Sequence, residues 1–313
     1  EGRYSGYARV VFDRNGRFAT ARSHASGRIV LWNAADFGFV REIDDGHEGG
    51  SLLGFSADGK EIISWVSGGV MKFWELKGGD YRRETLSVEG GGGYAYMPSL
   101  SNNGDTLACL TGKTTVAWVS LKGLENNARR MRIPAGGRIT ALKISDDGKI
   151  FACGLDEGGL YLLNAEGEVQ HHIKRGHRGS VRSLAFSPDG NLLVSGGGTP
   201  SSAREKGDFS VNIWDVERGK LLKKGRGHRE PVIGLGFLPG GEQFLSFSGD
   251  GLILFWSNRG KILRRVEDQY VTLQSIRLSP DGSRLCVSGR DSKGAGVMEV
   301  WTLNPWKKEK TLY

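Results

Sequence analysis

Short runs of alternating apolar and polar residues recur along the whole chain, and each run ends in an apolar anchor followed by a turn rich in Asp, Asn and Gly. Residues 181–186 form one such run, which ends at the anchor Phe186 and the turn Ser187-Pro188-Asp189-Gly190. Alternation with a period of two predicts half-buried β-strands, and the frequent turns predict antiparallel pairing. Because no window has a sustained period of 3.6 residues, the sequence predicts an all-β fold without helices.

The same unit occurs seven times. Its anchors are Phe12, Phe55, Leu100, Ile144, Phe186, Phe237 and Leu278. A Trp ends the third strand of six units, and Asn164 takes that place in the fourth. These tryptophans are Trp32, Trp74, Trp118, Trp214, Trp256 and Trp301. Recurrence at a period of 41 to 51 residues is typical of a repeat protein.

Each unit reads as four short strands, for which residues 181–186, 192–195, 211–214 and 220–224 are an example. A single four-stranded unit cannot bury both of its faces, whereas stacking the units around a ring does so and protects the edges. The sequence therefore predicts one domain, residues 1–313, that forms a seven-bladed β-propeller. The expected blades are residues 1–45, 46–90, 91–135, 136–175, 176–226, 227–268 and 269–313.

Several dipeptides give this chain a family resemblance. Gly46-His47, Gly176-His177 and Gly227-His228 match the Gly-His step of the WD-repeat β-propellers, and Trp214-Asp215 matches the dipeptide that names them. The resemblance covers essentially the whole chain and implies a buried hydrogen-bonded tetrad of His, Ser or Thr, Asp and Trp in each complete blade. Two tetrads are complete by this criterion: His177, Ser195, Asp208 and Trp214 in blade five, and His228, Ser246, Asp250 and Trp256 in blade six.

Other blades depart from the pattern. Blade two has His47, Ser64 and Trp74 but Gly68 in place of the Asp, and Cys109 and Cys153 occupy the Ser position in blades three and four. We expect the blade stabilities to be uneven. No strand is expected before blade one, so closure of the ring should depend on packing between blades one and seven. Because the chain starts at Glu1, we expect it to be a module of a larger protein.

The chemistry of catalysis is not evident in the sequence. There is no Gly-x-Ser-x-Gly elbow, phosphate-binding loop or His-Glu-x-x-His motif. His171 and His172 are adjacent in a strand and point to opposite faces, which argues against a metal site. The repetition of His, Ser and Asp in two blades favours a structural role over a catalytic triad. We predict a protein that is not an enzyme and has no cofactor or metal.

The start of each innermost strand should face one mouth of the central channel, where this family commonly binds peptides or partner proteins. The expected partner-binding residues are Tyr94, Tyr96, Arg138, Arg182, Trp65 and Gln274. Tyr and Arg are enriched at interaction hot spots. Alternatively, the two tyrosines pack on the adjacent Gly-rich loop. The leading hypothesis is an interaction scaffold or regulatory sensor that binds a peptide, a partner protein or another domain of its parent chain.

Charge supplies the second hypothesis. The chain of 313 residues has a net charge of +8, and the excess lies mainly in the outer strands. We expect a basic outer belt that includes Lys223, Lys224, Arg264, Arg265, Lys307 and Lys308. Such charges either protect exposed sheet edges or bind nucleic acid or another polyanion. The three cysteines lie in strand-like runs, so we expect buried free thiols and a cytoplasmic location.

Overall fold

The computed structural model describes residues 7–23, 28–44, 51–66, 70–77, 81–85, 96–121, 128–199, 207–267, 272–290 and 296–312. Within them, seven antiparallel sheets of four strands each follow one another along the chain, with sequential strands paired in every sheet. This is the all-β architecture of a seven-bladed β-propeller, so the expected fold class is confirmed. The blades divide into two compact units, one of residues 1–89 and 269–313 and the other of residues 90–268.

The first unit contains blades one, two and seven. Blade one consists of β1 (Tyr7–Phe12), β2 (Phe18–Ser23), β3 (Arg28–Asn33) and β4 (Phe39–Asp44). Blade two consists of β5 (Ser51–Phe55), β6 (Glu61–Val66), β7 (Val70–Glu75) and β8 (Tyr81–Thr85). Blade seven consists of β25 (Thr272–Leu278), β26 (Arg284–Arg290), β27 (Gly296–Leu303) and β28 (Trp306–Leu312).

The second unit contains blades three to six. Blade three consists of β9 (Tyr96–Leu100), β10 (Thr106–Leu110), β11 (Thr115–Ser120) and β12 (Arg129–Arg132). Blade four consists of β13 (Ile139–Ile144), β14 (Ile150–Leu155), β15 (Leu160–Asn164) and β16 (Val169–Ile173). Blade five consists of β17 (Val181–Phe186), β18 (Leu192–Gly197), β19 (Val211–Asp215) and β20 (Lys220–Gly225). Blade six consists of β21 (Val232–Phe237), β22 (Gln243–Ser248), β23 (Leu252–Ser257) and β24 (Ile262–Glu267).

The turn between the first two strands of a blade is closed by its own side chains. In blade five, Ser187 Oγ donates to Asp189 Oδ1 at 2.5 Å and accepts the backbone N–H of Leu192 at 2.8 Å. Gly190 follows with a φ of 74°, a conformation that glycine adopts without steric cost. The hydrogen bond from Ser187 holds the pKa of Asp189 below its ordinary value. The repeated Ser-x-Asp-Gly sequence therefore encodes a self-contained hairpin turn.

Apolar side chains from neighbouring blades share common cores. In the first unit, Ile29 and Leu31 of blade one pack with Leu52, Ile62 and Trp74 of blade two. In the second unit, buried residues of blades three and four, four and five, and five and six form three further clusters. Burial of both faces of each sheet is thus achieved by the adjacent blades.

Two positions differ from the expected tryptophan register. In five blades the Trp of the third strand pairs with the residue of the second strand that also pairs with the anchor of the first strand. In blade five, for example, Trp214 pairs with Leu193. In blade three Val119 has that position and Trp118 comes one residue earlier, while in blade four Leu163 has it and not Asn164. A shift of one residue turns a side chain to the other face of the sheet. Trp118 accordingly donates to the Ala165 carbonyl of blade four at 3.0 Å.

Blade seven holds blade one through two cations. Arg284 forms a bidentate pair with Glu309 at 2.8 and 3.0 Å, and donates to the carbonyls of Ala34 and Ala35 in the turn after β3. Lys310 donates to the carbonyls of Asp36 and Phe37 in the same turn. These contacts join two blades that share no strand among the described residues.

No described helix is long and apolar enough to cross a membrane.

We expect Arg284→Met to lower the free energy of unfolding by about 1–3 kcal/mol, because Glu309 and the carbonyls of Ala34 and Ala35 lose their donor while the apolar stem is kept. Urea unfolding measures this. Arg218→Met is the matched control, since its pair with Asp215 is exposed and should matter by less than about 0.5 kcal/mol. Equal losses in the two variants would show that the contact with blade one is not stabilising.

Candidate functional site

The tetrad of blade six is complete. His228 Nε2 lies 2.7 Å from Ser246 Oγ, and the indole N–H of Trp256 donates to the same oxygen at 2.8 Å. The other ring nitrogen of His228 lies 3.2 Å from Asp250 Oδ1. The four side chains therefore connect the loop before β21 to β22, β23 and the turn between them, and each satisfies the buried polar groups of another.

In the tetrad of blade five the His, Ser and Trp make the same contacts as in blade six, but the contact between His and Asp differs. Ser195 Oγ lies 2.7 Å from His177 Nε2 and accepts the N–H of Trp214 at 2.8 Å. Asp208 is 3.7 Å from His177 Nδ1, beyond hydrogen-bond distance, and Ser210 Oγ lies 3.3 Å from that nitrogen. Ser210 was not among the predicted residues, although its position two residues after the Asp was visible in the sequence.

Lys224 forms an ion pair with Asp208. Its Nζ donates to Asp208 Oδ2 at 2.8 Å, which removes it from the set of free cations expected in the outer belt. Burial lowers the pKa of His177 to about 4, so the ring is neutral at pH 7. Although burial alone would raise the pKa of Asp208, hydrogen bonds from Lys224 and from the backbone N–H of Arg178 hold it at about 2. The buried charge of Asp208 is therefore balanced by Lys224 and not by an imidazolium.

The degenerate blades use other partners. In blade two Trp74 donates to Ser64 Oγ at 2.9 Å, while His47 and Gly68 lie outside the described residues. In blade seven Trp301 donates to Glu299, which also accepts a hydrogen bond from Lys308. The thiols of Cys109, Cys153 and Cys286 are buried and free. Burial raises the pKa of Cys109 to about 12, so this thiol is protonated and unreactive at pH 7.

The tetrads do not resemble an accessible active site. Ser195 and Ser246 are completely buried, and both accept the indole N–H of a Trp. A substrate has no path to either hydroxyl without opening the blade. In the part of the chain that the structure describes, no group of His, Cys, Asp and Glu side chains could hold a metal ion.

The structure describes the side chains of two of the four predicted mouth residues in the second unit. Arg138 immediately precedes β13 and Arg182 is the second residue of β17; both side chains are exposed. No described residue forms an ion pair or hydrogen bond with either guanidinium. Tyr94 lies outside the described residues, as does the side chain of Tyr96 in β9. The grouping of the two tyrosines with these arginines stays a prediction.

The two remaining predicted mouth residues belong to the first unit. Trp65 is 5% exposed, which leaves little of its ring for contact with a partner. Gln274 lies in β25, and its side chain is outside the described residues. A role for either residue in binding also stays a prediction.

Exposed apolar side chains accompany the arginines of the second unit. Met97 in β9 and Ile233 in β21 are 40% and 38% exposed, and Met97 has a φ of 54°. A non-glycine residue in this left-handed region is strained, and such residues concentrate at functional sites. The inner strands that present these residues are tied together, since Thr140 Oγ1 donates to the Val181 carbonyl and Ser183 Oγ to the Val232 carbonyl, both at 2.7 Å.

Comparisons with known proteins agree with this architecture. The family described as WD domain, G-beta repeat matches residues 167–215 and 219–257, the two segments that hold both complete tetrads. Together with the seven blades and the WD-repeat relatives, this identifies the chain as a WD-repeat β-propeller protein. WD40 propellers are generally non-enzymatic scaffolds that bind protein partners.

Three relatives illustrate the range of the similarity. An uncharacterized WD repeat-containing protein of Synechocystis is 27% identical over 61% of this chain and 49% of its own length. The methylosome protein WDR77 of Xenopus laevis is 31% identical over 47% of this chain and 35% of its own. The pre-mRNA-splicing factor cwf17 of Schizosaccharomyces pombe is 24% identical over 53% and 45%. This chain thus spans less than half of each relative.

A solved structure extends the similarity of fold to nearly the whole chain. A chain of the crystal structure of the mitotic checkpoint complex superposes with a TM-score of 0.75 over 96% of this chain and 88% of its own length. The sequence identity is 16%, so the likeness concerns the fold alone.

We expect the stability of the second unit to fall by up to about 3 kcal/mol as the pH is lowered from 6.5 to 4. His177 must stay neutral when folded, with a pKa of about 4, whereas the unfolded ring binds a proton near its ordinary pKa of 6.5. The stability is therefore fully present above pH 6.5 and lost as the pH falls toward 4. Urea unfolding at several pH values measures it. His177→Gln should flatten the dependence and His172→Gln, at an exposed position, should preserve it; the reverse pattern would contradict this explanation.

Lys224→Met should raise the pKa of His177 from about 4 toward its ordinary value, because the cation that opposes protonation is removed while Asp208 remains. NMR titration of the imidazole nitrogens reports the change. Lys223→Met is the matched control, since the neighbouring Lys223 is exposed and makes no described contact with the tetrad. An unchanged His177 titration in Lys224→Met would disprove the charge balance derived above.

Proposed function

We propose that this protein is a non-enzymatic interaction scaffold or regulatory sensor propeller, which holds a peptide or a partner domain at the mouth defined by Tyr94, Tyr96, Arg138 and Arg182. The observation that carries this proposal is the pair of exposed arginines, Arg138 directly before β13 and Arg182 in β17, whose guanidinium groups have no described partner. The partner belongs to another protein or to another part of the same parent chain.

The surroundings of these arginines suit a protein ligand. Exposed Met97 and Ile233 lie on the inner strands β9 and β21, which flank β13 and β17 in the second unit. Arginine combined with apolar side chains is typical of interaction hot spots, in which a cation sets the orientation and apolar contacts supply affinity. The hydrogen bonds from Thr140 and Ser183 between the strands keep this surface rigid, which reduces the entropy lost on binding.

The direction of the Arg182 side chain is set by Gly198. A Cβ atom at Gly198 would lie 2.4 Å from Arg182 Cγ, so the stem of Arg182 lies directly over this glycine. The absence of a side chain at position 198 thus places the guanidinium at the start of β17. Any larger residue would displace it without removing its charge.

The names of the relatives are compatible with a role in assembly. They include a methylosome protein and a pre-mRNA-splicing factor, and the structural neighbour is a chain of a checkpoint complex. Because the match covers less than half of each of those relatives, their own partners are not transferred to this chain.

Binding of nucleic acid or another polyanion through the basic outer belt is the second candidate. Lys223, Arg264, Arg265 and Lys307 are exposed on outer strands, which favours it. However, Lys224 is paired with Asp208 and Lys308 with Glu299, so the belt has fewer available charges than the sequence predicts. We therefore place this function second.

We expect capture from a source lysate at about 0.15 M salt, where exposed charges are screened beyond about 8 Å, to recover a protein that is lost with Arg138→Ala/Arg182→Ala. Gly198→Ala should weaken the same capture, because it moves Arg182 but keeps both charges. Lys223→Ala/Lys307→Ala, which removes two charges from the belt, should retain it. If only the belt variant loses the ligand, or if the recovered material is nucleic acid released by modest salt, the belt is the binding site and the scaffold proposal is wrong.

A further inference from the structure

In three consecutive blades of the second unit, an aspartate holds an arginine by the same kind of hydrogen bond, although not at the same position of the repeat. The carboxylate in the connection between the second and third strands accepts the backbone N–H of an arginine that precedes the first strand. Asp156 accepts from Arg138 at 2.9 Å, Asp208 from Arg178 at 3.0 Å, and Asp250 from Arg229 at 2.7 Å. Arg138 directly precedes β13, whereas Arg178 and Arg229 lie three residues before β17 and β21. Three arginines are thereby fixed by their backbones in the connections that lead into these strands.

The side chains of these three arginines are exposed. No ion pair or hydrogen bond joins their guanidinium groups to any residue that the structure describes. By contrast, the guanidinium groups of Arg17, Arg28, Arg218 and Arg284 are each paired with a carboxylate. A fixed backbone combined with an unpaired guanidinium is the arrangement expected of a group that binds an external anion.

The three connections are strongly basic as a whole. Residues 133–138, 174–180 and 226–231 contain one acidic residue, Glu230. Their cations are Arg138, Lys174, Arg175, Arg178, Arg226 and Arg229, all exposed. Glu157, next to Asp156, is the other exposed acid described close to Arg138. Asp156 and Asp250 keep their negative charge while they accept these hydrogen bonds, and Asp208 is paired with Lys224. Six exposed cations therefore face the four acids Asp156, Glu157, Glu230 and Asp250, which leaves a positive excess at this end of the blades.

We infer that Arg138, Arg178 and Arg229 form a row that binds an acidic peptide segment of a partner protein, with the guanidinium groups pairing with Asp or Glu carboxylates. This inference rests on the proposed scaffold function and specifies the chemistry of the partner. It also adds Arg178 and Arg229 to the binding surface, outside the predicted mouth. Arg182, Met97 and Ile233 supply the contacts next to the row.

A peptide fits this surface better than a nucleic acid. Single-stranded nucleic acids bind where aromatic side chains stack on the bases, and the three connections contain no aromatic residue apart from the imidazoles of His177 and His228, which are taken up by the tetrads. The exposed apolar side chains described next to the row, Met97 and Ile233, are not aromatic and suit the apolar residues of a peptide.

The test uses the whole chain and a displayed library of random peptides of about twelve residues, long enough to contact several blades in an extended conformation. Recovered peptides are synthesised with a fluorescent label, and their affinities are measured by anisotropy. The row variant is Arg138→Gln/Arg178→Gln/Arg229→Gln. The matched control, Lys220→Gln/Lys223→Gln/Lys261→Gln, removes the same charge from exposed positions on or next to the outer strands β20 and β24. Thermal unfolding of both variants checks that they remain folded.

We expect the recovered peptides to be enriched in Asp and Glu. The row variant should weaken their binding by about tenfold or more, whereas the control should change it by less than about twofold. Replacing the acidic residues of the peptide by Asn and Gln should cause the same loss as the row variant. A single-stranded oligonucleotide should bind more weakly than the peptides.

Three results would overturn the inference: no enrichment of acidic residues, equal losses in the row variant and the control, or tighter binding of the oligonucleotide. Peptides that are not acidic but are lost with Arg182→Ala would remove the acidic chemistry and preserve the proposed scaffold function. Peptides that are insensitive both to the row variant and to Arg182→Ala would remove both.

Discussion

Each blade is a sheet with two apolar faces, and the rest of the structure depends on covering both of them. In the second unit Leu160 and Leu162 of blade four pack with Leu193 and Trp214 of blade five. Since neither sheet has a solvated face, an isolated blade would expose most of its core to water, at a cost of about 25 cal/mol for each Å² of apolar surface. Adjacent blades must therefore fold together. The strand ends and their connections are free of this constraint and can therefore differ from blade to blade.

In the two tetrads that the structure describes, every polar member has a partner. Blade six satisfies His228 with Ser246 and Asp250, whereas blade five adds Ser210 and Lys224. Blades three and four avoid the problem by burying Cys109 and Cys153, which demand no hydrogen bond. Because an unsatisfied buried polar group costs about 1–3 kcal/mol, a partial tetrad would be worse than an apolar core. The uneven repeats are thus alternative solutions to the same requirement.

The sequence was sufficient for those features that depend on local patterns. Strand alternation, the Ser-x-Asp-Gly turns and the spacing of the anchors determined the all-β fold and the seven blades. The position of Trp118 could not be derived in this way, because spacing that varies by one residue is compatible with either face of the sheet. The contacts of Lys224 with Asp208 and of Arg284 with Ala34 were also hidden, since they join side chains that only the folded chain brings together. For the same reason the exposed Arg138 and Arg182 were predicted, but the backbone hydrogen bonds that hold Arg138, Arg178 and Arg229 to carboxylates were not.

An exposed arginine held by an aspartate occurs in blades with a tetrad and in a blade without one. Asp208 and Asp250 belong to tetrads, so their bonds to Arg178 and Arg229 can be regarded as a by-product of holding a histidine. Blade four has no tetrad, and Asp156 there accepts the backbone N–H of Arg138, which directly precedes β13, whereas Arg178 and Arg229 lie three residues before β17 and β21. Blade four therefore fixes an exposed arginine without a histidine, through a different pair of positions. What the three blades share is the means of fixing an exposed cation at the end of an inner strand, which is the property that an anion-binding surface requires.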